Sequence, residues 1–320
     1  MALKNQKLKT VLVTGGAGFI GSHLVDRLIK EGYRVVVIDN LSTGKKENLN
    51  PKAKFYKLDI QDKKIKEIFK KEKPTIIFHF AAQINVRKSV EDPVLDAKVN
   101  ILGSLNIIQN FVNENRGLDF QKFKKFIFAS TGGAIYGDAK VIPTPENYQE
   151  NPVSPYGIAK LAVEKYLYYY WKVYKLKFIS LRLANVYGPR QNSKGEAGVI
   201  AIFCDKMLSG NQPIINGSGK QTRDFVYVND VVEAAILGLK KNKVGIYNIG
   251  TAKETNINLI FRKLKKITNS NCKEKHAPPL KGEQKRSCLD YSKVQKELGW
   301  QPKFTLEKGL KKTVDWFFKN

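Results

Sequence analysis

Cysteine and histidine are scarce in this sequence, and their scarcity narrows the classes of protein to consider. The 320 residues include three cysteines, Cys204, Cys272 and Cys288, and three histidines. Three scattered cysteines do not suit a disulfide framework, and the dispersed histidines lack the spacing of a zinc site. We therefore expect no metal and a reducing, cytoplasmic compartment.

Long apolar segments are also lacking. No run approaches the roughly 18 apolar residues that a membrane helix needs. The first residues, MALKNQKLKT, lead directly into strand-like VLVTGG without the long apolar stretch of a secretory signal. We expect a globular protein that does not bind a membrane.

Acidic residues are outnumbered, since 29 Asp and Glu stand against 56 Lys and Arg, for a formal net charge of +27. A basic protein can bind nucleic acid, but lysine outnumbers arginine 47 to 9 and is spread throughout. Proteins that read bases or phosphates specifically favour the planar guanidinium of arginine. We expect a lysine-rich solvated surface that attracts anionic substrates but has no specific nucleic-acid partner.

Strand and helix patterns alternate over the first 180 residues. Apolar, β-rich segments separated by helices are typical of a parallel sheet covered on both faces. The predicted strands are 11–14, 35–38, 54–57, 75–80, 125–129 and 178–183, and the predicted helices are 19–31, 62–71, 95–113 and 156–174. The predicted fold class is α/β, a Rossmann-type doubly wound parallel sheet over residues 1–180. The turn-rich residues 181–320 predict a smaller α/β substrate-binding domain, some segments of which return to the sheet.

The segment TGGAGFIGSH, residues 14–23, follows the first strand and opens a helix. Its glycines allow a tight turn at Gly15, close approach of the backbone to a pyrophosphate at Gly18, and helix–strand packing at Gly21. The helix N-terminus offers N–H groups and its positive dipole end to phosphates. Asp39 ends the second strand, 18 residues beyond Gly21, where a carboxylate binds the adenosine ribose and repels a 2′-phosphate. The predicted cofactor is therefore NAD rather than NADP.

The segment SPYGIAK, residues 154–160, carries the strongest chemical signal. Ser154 suits a helix cap and Pro155 the first helical position, which places Tyr156 and Lys160 four residues apart on one helix face. Tyrosine titrates near pH 10, so it serves as a base at neutral pH only where cations stabilise its phenolate. Lys160 alone is marginal for this task, whereas Lys160 together with a positively charged nicotinamide suffices.

The segment STGGAIYG, residues 130–137, places Ser130 and Thr131 at the carboxyl end of a predicted strand. Catalytic groups of α/β sheets lie at such strand ends, so both hydroxyls are candidates. The next two residues, Gly132 and Gly133, have no side chain that could transfer a proton.

Eight motifs occur in order along the chain: TGGAGFIGSH, Asp39-Asn40, LDI at 58–60, HFAAQ at 79–83, STGGAIYG, YGIAK, RLANVYGPR at 182–190 and RDFVYVND at 223–230. Over nearly its whole length the chain resembles the extended short-chain dehydrogenases/reductases, and most of all the UDP-glucose 4-epimerases. The resemblance implies an isomerase that uses NAD to invert C4 of a UDP-hexose through a transient 4-keto sugar.

The resemblance also assigns roles to individual residues. The expected catalytic residues are Thr131, Tyr156 and Lys160. The expected substrate contacts are Asn185, Arg223 and Glu283. The expected cofactor contacts are Gly15, Gly18, Phe19, Ile20, Gly21, Asp39, Asn40, Asp59, Ile60, Phe80, Ala81, Ala82, Asn100, Tyr156 and Lys160. A homodimer through the helices near 95–113 and 156–174 is implied as well, while His23 and His79 are expected to be packed rather than catalytic.

Some positions depart from the family pattern. Many epimerases have serine at the position of Gly132, so we assign the contact with the sugar 4-oxygen to Thr131 and a local bond to Ser130. Relatives that dehydrate their sugar carry an acid after the threonine, and the decarboxylases often have a similar glutamate. Gly132 and Gly133 therefore disfavour elimination.

Two further departures concern the substrate. The family often has arginine where this chain has Leu280, so either Lys281 compensates or Arg223 acts alone on the diphosphate. Ser287 stands where some epimerases carry a bulky tyrosine, which predicts UDP-GlcNAc and UDP-GalNAc as additional substrates. Two alternatives stay open: another nucleotide-sugar-modifying member of the superfamily (a decarboxylase, dehydratase or reductase), and a non-enzymatic NAD- or RNA-associated binding protein.

Overall fold

The structure is a computed structural model that describes residues 9–115, 125–194, 198–279 and 284–320. Strands and helices alternate in the first half of the chain. They are β1 (Thr10–Thr14), α1 (Phe19–Lys30), β2 (Arg34–Asp39), β3 (Lys54–Lys57), α2 (Ile65–Glu72), β4 (Ile76–His79), α3 (Val86–Glu91), α4 (Pro93–Ala97), a π-helical segment (Lys98–Gly103), α5 (Ser104–Glu114), β5 (Lys125–Thr131), α6 (Gly132–Ile135), α7 (Pro155–Tyr174) and β6 (Lys177–Leu183).

The second half has shorter strands and longer connections. Its elements are β7 (Asn185–Tyr187), α8 (Val199–Leu208), β8 (Ile215–Asn216), β9 (Thr222–Tyr227), α9 (Val228–Lys240), β10 (Gly245–Ile249), β11 (Glu254–Asn256), α10 (Ile257–Thr268), β12 (His276–Ala277), α11 (Ser292–Leu298) and α12 (Leu306–Lys319). Within the described residues, no helix has both the length and the apolar character needed to cross a membrane.

Seven parallel strands form the central sheet in the order β10-β6-β5-β4-β1-β2-β3. The chain first moves outward from β1 to β3 and then returns to β4 on the other side of β1. This reversal opens a crevice at the carboxyl ends of β1 and β4, where nucleotides bind in doubly wound sheets. The predicted Rossmann-type fold class is confirmed.

The core consists of two apolar layers, one on each face of this sheet. Side chains alternate between the faces along each strand, so Val11 and Val13 pack with α1, whereas Leu12 packs with α5. All three valine and leucine side chains are fully buried. The alternation explains why β1 reads as a continuous apolar segment, since both of its faces are covered.

The last strand of the central sheet comes from the second half of the chain, because β10 pairs with β6 in parallel. The smaller sheets are β11-β9-β7 and β12-β8. A third apolar cluster packs α8, α10 and α12 against β9. The division into domains of residues 1–180 and 181–320 stays a prediction.

The helix predicted at 95–113 is helical throughout, but its first part has a wider, π-type backbone at Lys98–Gly103. Asn100 lies inside this segment and is buried. The hydroxyl of Ser104 donates to the Asn100 carbonyl at 2.6 Å. The amide of Asn100 is occupied by tertiary contacts with Gln83 and Asp96. Single π-turns of this kind often occur where a side chain is needed at a functional site.

Candidate active site

Glycines shape the loop between β1 and α1. Gly15 has a φ of +73°, and a Cβ there would lie 2.7 Å from the nitrogen of Ala81. A Cβ on Gly21 would lie 2.1 Å from the Gly15 carbonyl oxygen. Within the described structure, no side chain caps α1 at Gly18, and its first turn has no acidic residue. The first N–H groups of α1 therefore remain available to a phosphate.

Asp39 anchors the same loop from the end of β2. Its Oδ2 accepts from the nitrogen of Ala17 at 3.0 Å, and its Oδ1 accepts from the nitrogen of Leu41 at 2.8 Å. A carboxylate oxygen has a second lone pair, so each oxygen can also accept a ribose hydroxyl. The Asp39 carboxylate therefore stabilises the loop and also lies at the edge of the crevice.

Asn40, Asp59 and Ile60 meet beyond the end of β2. The amide of Asn40 donates to Oδ2 of Asp59 at 2.7 Å, and Oδ1 of Asp59 accepts from the nitrogen of Gln61 at 2.8 Å. Ile60 is buried beside Gly103, where an added Cβ would lie 2.8 Å from the Ile60 Cδ1 atom. These three predicted cofactor contacts therefore lie in the same region, beyond the end of β2.

The segment Phe80 to Gln83 follows β4 and borders the crevice from the other side. The nitrogen of Ala81 donates to the hydroxyl of Thr14 at 3.2 Å. The backbone of Gln83 exchanges two 2.9 Å hydrogen bonds with the side chain of Asn100. Asn100 thus fixes the course of the segment that includes the predicted cofactor contacts Phe80, Ala81 and Ala82.

His79 lies beneath this segment and is fully buried. Its Nδ1 is 2.7 Å from the hydroxyl of Thr14, and its Nε2 is 2.8 Å from that of Ser104. Burial, together with the charge of Lys160, lowers the pKa of His79 to about 3. His79 is therefore a neutral, packed histidine, as expected, and so is His23, whose Nε2 lies 2.9 Å from the Pro189 carbonyl.

Helix α7 carries Tyr156 and Lys160 in its first two turns. Ser154 caps it by accepting from the nitrogen of Gly157 at 3.2 Å, and Pro155 is its first residue, which confirms both helix-start predictions. The nitrogen of Tyr156 also donates to the hydroxyl of buried Ser89 at 3.2 Å. The start of the helix is therefore fixed from two sides.

The Lys160 ammonium is held against the end of β5. Its Nζ donates to the Ala129 carbonyl at 2.9 Å and lies 4.7 Å from the ring centre of Phe128. The same atom is 5.8 Å from the ring centre of Tyr156. Burial lowers the pKa of Lys160 to about 8, and the opposing charges of Asp96 and Glu164 limit the fall. The lysine therefore carries its positive charge at neutral pH.

Thr131, rather than Ser130, makes the local hydrogen bond at the end of β5. The hydroxyl of Thr131 caps α6 by accepting from the nitrogen of Ala134 at 3.3 Å. Ser130 is buried, and its Oγ has no hydrogen-bond partner in the described structure. The expected local bond of Ser130 is therefore wrong, because the strand end turns into α6 and brings Thr131 to the cap position. The assignment of Thr131 to the sugar stays a prediction.

Helix α6 lies directly against the start of α7. A Cβ on Gly157 would lie 2.6 Å from the Ala134 carbonyl oxygen, so the residue after Tyr156 touches the helix that Thr131 caps. On its other side, α6 meets a C-terminal segment. A Cβ on Gly132 would lie 2.4 Å from Cδ1 of Leu289, whereas one on Gly133 would lie 3.8 Å from the hydroxyl of Ser287.

The predicted substrate contacts Asn185 and Arg223 lie on neighbouring strands of the small sheet. Asn185 is exposed on β7 and pairs with Phe225 of β9, two residues beyond Arg223. The guanidinium of Arg223 donates to the carbonyl of Thr222 at 2.8 Å. Leu280, Lys281 and Glu283 lie outside the described residues, so their predicted roles are untested.

Asp224 and Asp96 are site-proximal acids that the sequence reasoning missed. Asp224 is buried and accepts from the nitrogen of Leu289 at 3.3 Å and from the hydroxyl of Thr251 at 2.6 Å. It thereby connects β9 to the segment that contacts Gly132. Its only sequence signal is its place beside Arg223 in the RDFVYVND motif, and Asp96 has no such signal.

The chemistry of the site fits a dinucleotide. At Gly15 and Gly21 the neighbouring backbone leaves no space for a side chain. The first turn of α1 has no acidic residue that would repel a phosphate from its N–H groups. The described residues contain no cluster of three or more His, Cys, Asp or Glu side chains that could hold a metal ion.

A sequence model of the NAD dependent epimerase/dehydratase family matches residues 11–250. The chain belongs to this family. The match extends from β1 to the end of β10 and includes the glycine loop, the Tyr156–Lys160 helix and the strand that carries Arg223. The NAD dependence of the family confirms the cofactor predicted from the loop and Asp39.

Within the NAD dependent epimerase/dehydratase family, the chain is similar to several UDP-glucose 4-epimerases. That of Mycolicibacterium smegmatis is 41% identical over 315 residues, which cover 97% of this chain and 98% of the relative. The crystal structure of the Thermotoga maritima enzyme with UDP-glucose has a TM-score of 0.93 and 50% identity, covering 97% of this chain and 99% of the other. The Thermus thermophilus enzyme in complex with NAD has a TM-score of 0.90 and 42% identity, covering 96% and 98%.

Other members of the family are named for different substrates or reactions. The human dTDP-D-glucose 4,6-dehydratase is 34% identical over 328 residues, covering 98% of this chain and 91% of the relative. A UDP-N-acetylglucosamine 4-epimerase from Methanobrevibacter ruminantium, solved with UDP-N-acetylmuramic acid, has a TM-score of 0.90 and 36% identity, covering 98% and 99%. Relatives of this chain therefore include enzymes for different reactions and different sugars, and the residues of the site must distinguish between them.

Proposed function

We propose that the chain catalyses the NAD-dependent epimerisation of a UDP-hexose at C4, and that UDP-glucose and UDP-galactose are its principal substrates. One observation carries the proposal: the Lys160 ammonium lies 5.8 Å from the ring of Tyr156, beside two residues without side chains. Such a site can move a proton and bind NAD, and positions 132 and 133 supply no acid with which to expel a hydroxyl.

Tyr156 is the proposed base. Lowering the pKa of a tyrosine from about 10 to about 7 requires about 4 kcal/mol. A cation about 6 Å from the phenolate oxygen would contribute about 3 kcal/mol at an effective dielectric constant near 20. The remainder requires a second positive charge, which the oxidised cofactor carries.

Each chain residue then has a defined task. The phenolate of Tyr156 accepts the proton of the sugar 4-hydroxyl and later returns it, which is general acid–base catalysis at one atom. Lys160 stabilises the phenolate, and Thr131 donates a hydrogen bond to the 4-oxygen. When bound, NAD⁺ accepts a hydride from C4 and returns it to the opposite face of the sugar.

Arg223 and Asn185 are proposed to hold the nucleotide diphosphate while the 4-keto sugar rotates in the site. A guanidinium pairs with phosphate through charge-assisted hydrogen bonds. Asn185 contributes an amide from the neighbouring strand, and Glu283 is proposed to bind the uridine ribose. Anchoring through UDP leaves the 4-keto sugar free to present its other face, which is the step that separates an epimerase from a simple dehydrogenase.

The acids of a dehydratase have no counterpart at the end of β5. Gly132 and Gly133 provide no proton-transfer group, and the space next to Gly132 is filled by the buried side chain of Leu289. A glutamate or aspartate at position 132 would collide with this leucine. The arrangement therefore favours a cycle of oxidation and reduction over elimination of water.

We extend the substrate range to UDP-GlcNAc and UDP-GalNAc. Ser287 is a small side chain that faces Gly133, so this wall of the site is formed by one hydroxymethyl group and one glycine. The family resemblance places a bulky tyrosine at this position in some epimerases. The similarity to a UDP-N-acetylglucosamine 4-epimerase at 36% identity supports the same extension.

A homodimer is proposed through α7 and the helices before it. The outer face of α7 exposes Ile158, Tyr166, Tyr169 and Val173, which are 41–56% exposed. These residues recur at helical spacing and form an apolar stripe. Contiguous exposed apolar surface of this kind marks protein–protein contacts, and a second copy of the chain would cover it. We also place the enzyme in the cytoplasm, where its free cysteines stay reduced.

The decisive experiment is incubation of the purified protein with a panel of UDP-hexoses while the configuration at C4 is followed by NMR. We expect interconversion of UDP-glucose and UDP-galactose without loss of carbon dioxide or water. Release of either would support the decarboxylase or dehydratase alternative instead. Salt-sensitive RNA binding without any sugar turnover would support the non-enzymatic alternative.

A further inference from the structure

Ser89 is a fully buried serine of the short helix α3, and it joins this helix to the one that carries the proposed base. Its hydroxyl donates to the Val86 carbonyl at 2.6 Å and accepts from the nitrogen of Tyr156 at 3.2 Å. A hydroxyl has one proton to donate and two lone pairs, so a single oxygen makes both contacts. Ser89 therefore contacts the backbone of Tyr156 directly, although it lies 67 positions away in the sequence.

The N–H group of Tyr156 belongs to the first turn of α7, where N–H groups have no acceptor within their own helix. The cap residue Ser154 provides for the two residues that follow Tyr156. Its hydroxyl accepts from the nitrogen of Gly157 at 3.2 Å, and its carbonyl accepts from that of Ile158 at 3.0 Å. Ser89 thus supplies from another helix the acceptor that the nitrogen of Tyr156 needs.

The start of α3 is bonded in turn to the segment that contains predicted cofactor contacts. The nitrogen of Ser89 donates to the Asn85 carbonyl at 3.0 Å, and the same carbonyl accepts from the side-chain amide of Gln83 at 2.8 Å. Oε1 of Gln83 accepts from the nitrogen of Asn85 at 2.5 Å. A continuous series of hydrogen bonds therefore leads from the segment Phe80 to Gln83, through Ser89, to the backbone of Tyr156.

We propose that Ser89 is a positioning residue for the reaction, whose hydroxyl fixes the backbone of Tyr156 relative to the segment that borders the cofactor. The proposal rests on the proposed role of Tyr156 as the base. The phenol oxygen must reach the sugar 4-hydroxyl while C4 lies close to the nicotinamide, so the rate depends on a fixed distance between base and cofactor. Without the Ser89 hydroxyl, the N–H group of Tyr156 loses this acceptor and the first turn of α7 can shift.

The test is Ser89→Ala, which removes the hydroxyl and nothing else. The matched control is Thr313→Val in α12, because Thr313 is also fully buried and its hydroxyl donates to the carbonyl of Gly309, one turn earlier, at 2.8 Å. We expect the kcat of Ser89→Ala to fall by about 10- to 100-fold, since a displacement of about 1 Å can cost about 100-fold in rate. The KM for the UDP-sugar should change little, because the nucleotide is held elsewhere. Thr313→Val should keep the parent kcat.

Ser89→Cys separates the hydrogen bond from packing. The thiol fills the space of the hydroxyl but is only a weak donor and acceptor. Its kcat should therefore fall as in Ser89→Ala, although no cavity is left. The cysteine variant also carries the test if the alanine variant does not fold.

A second readout does not depend on turnover. The phenolate of Tyr156 is measured in the NAD complex by its absorbance near 295 nm, as the difference between each protein and its counterpart that also carries Tyr156→Phe. Lys160 and the oxidised cofactor both stabilise the phenolate, so a shift of Tyr156 away from the cofactor should reduce this signal at about pH 8. We expect the reduction in both Ser89 variants and not in Thr313→Val.

The outcomes separate the two proposals. A Ser89→Ala protein with the parent kcat and the parent phenolate signal, and only a lower melting temperature, would overturn the role of Ser89 and leave the epimerase intact. Losses in Ser89→Ala that Ser89→Cys does not share would also overturn it, because they would arise from the cavity. A parent protein that fails to epimerise any UDP-hexose, but whose phenolate signal still depends on Ser89, would refute the proposed function while supporting the action of Ser89 on Tyr156.

Discussion

Leu289 occupies the space into which a side chain at position 132 would project. A Cβ on Gly132 would lie 2.4 Å from Cδ1 and 2.7 Å from Cδ2 of Leu289, which is fully buried. The two residues are 157 positions apart in the sequence, yet the size of the side chain at one position limits the size of the side chain at the other. A side chain at position 132 therefore requires Leu289 to move.

The first prediction tests this coupling. Gly132→Ser alone should destabilise the protein by about 1–3 kcal/mol through overpacking, and Leu289→Ala alone by about 2–5 kcal/mol through a cavity. In the double variant the serine enters the space that the leucine vacates. Its loss of unfolding free energy, measured in urea, should be smaller than the sum of the single losses by about 1 kcal/mol or more.

Gly133→Ser is the matched control for this cycle. A Cβ there meets only the hydroxyl of Ser287 at 3.8 Å, which is an ordinary contact. The variant should lose little stability and show no coupling to Leu289→Ala. Strictly additive effects in the Gly132 pair would show that the backbone of α6 shifts to make room for the serine.

The second prediction concerns the base itself. Tyr156→Phe removes the proton-accepting oxygen and leaves the helix unchanged, so kcat should fall by about 10²–10⁴-fold, the usual contribution of general acid–base catalysis. Binding of the UDP-sugar, measured by calorimetry, should survive. Tyr33→Phe, at the turn before β2, serves as the control and should retain full turnover. A fully active Tyr156→Phe enzyme would end the assignment.

The third prediction is a pH dependence of stability that arises from His79. Its folded-state pKa is lowered to about 3 from an ordinary value of 6.5, so below pH 6.5 the unfolded chain binds a proton that the folded chain does not. Stability is therefore lost as the pH falls from 6.5 towards 3. Below pH 6 the contribution should approach about 1.4 kcal/mol per pH unit.

His79→Gln should remove this slope from the free energy of unfolding, measured in urea between pH 6.5 and 4.5. The glutamine cannot titrate, so any loss of stability that the substitution causes should be the same at every pH. His276→Gln, at an exposed position of β12, should keep the parent slope. An unchanged slope in His79→Gln would assign the acid sensitivity to other groups.

Local sequence patterns were sufficient for the parts of the site that lie on single elements. The glycine loop and the capped start of α7 follow from turn chemistry and helix-capping rules, because Gly15 and Ser154 act on backbone within a few residues. The position of Asp39 could also be predicted from the sequence, since its distance from the loop is fixed by one strand–helix–strand unit. These features agree with the structure.

Packing between distant parts of the chain could not be predicted from local sequence patterns. The contact of Leu289 with Gly132, and the hydrogen bond between Gln83 and Asp96, depend on how separate elements meet in three dimensions. The π-helical segment Lys98–Gly103 includes Asn100, whose side chain bonds to the backbone of Gln83, and helix propensity alone does not indicate such a segment. The capping role of Thr131 was missed because the short helix α6 begins directly at the strand end.

The fourth prediction tests the apolar stripe on α7. Tyr166→Glu places a charge in the middle of the stripe and should shift the mass measured by light scattering from that of a dimer to that of a monomer. Ile214→Glu introduces the same charge at an exposed apolar position outside this helix and should leave the mass unchanged. A monomeric parent protein would contradict the proposed dimer.

The fifth prediction concerns the acetamido group of the larger substrates. Ser287→Tyr replaces a small side chain with a bulky ring at the wall that faces Gly133, so the space for an acetamido group at C2 is filled. Turnover of UDP-GlcNAc should fall by tenfold or more, because steric overlap costs at least about 1.4 kcal/mol in the transition state, whereas UDP-glucose turnover should change little. Ser287→Ala retains the space and should keep both activities. If the parent enzyme converts UDP-glucose but neither N-acetyl sugar, a contact other than residue 287 sets the limit on substrate size.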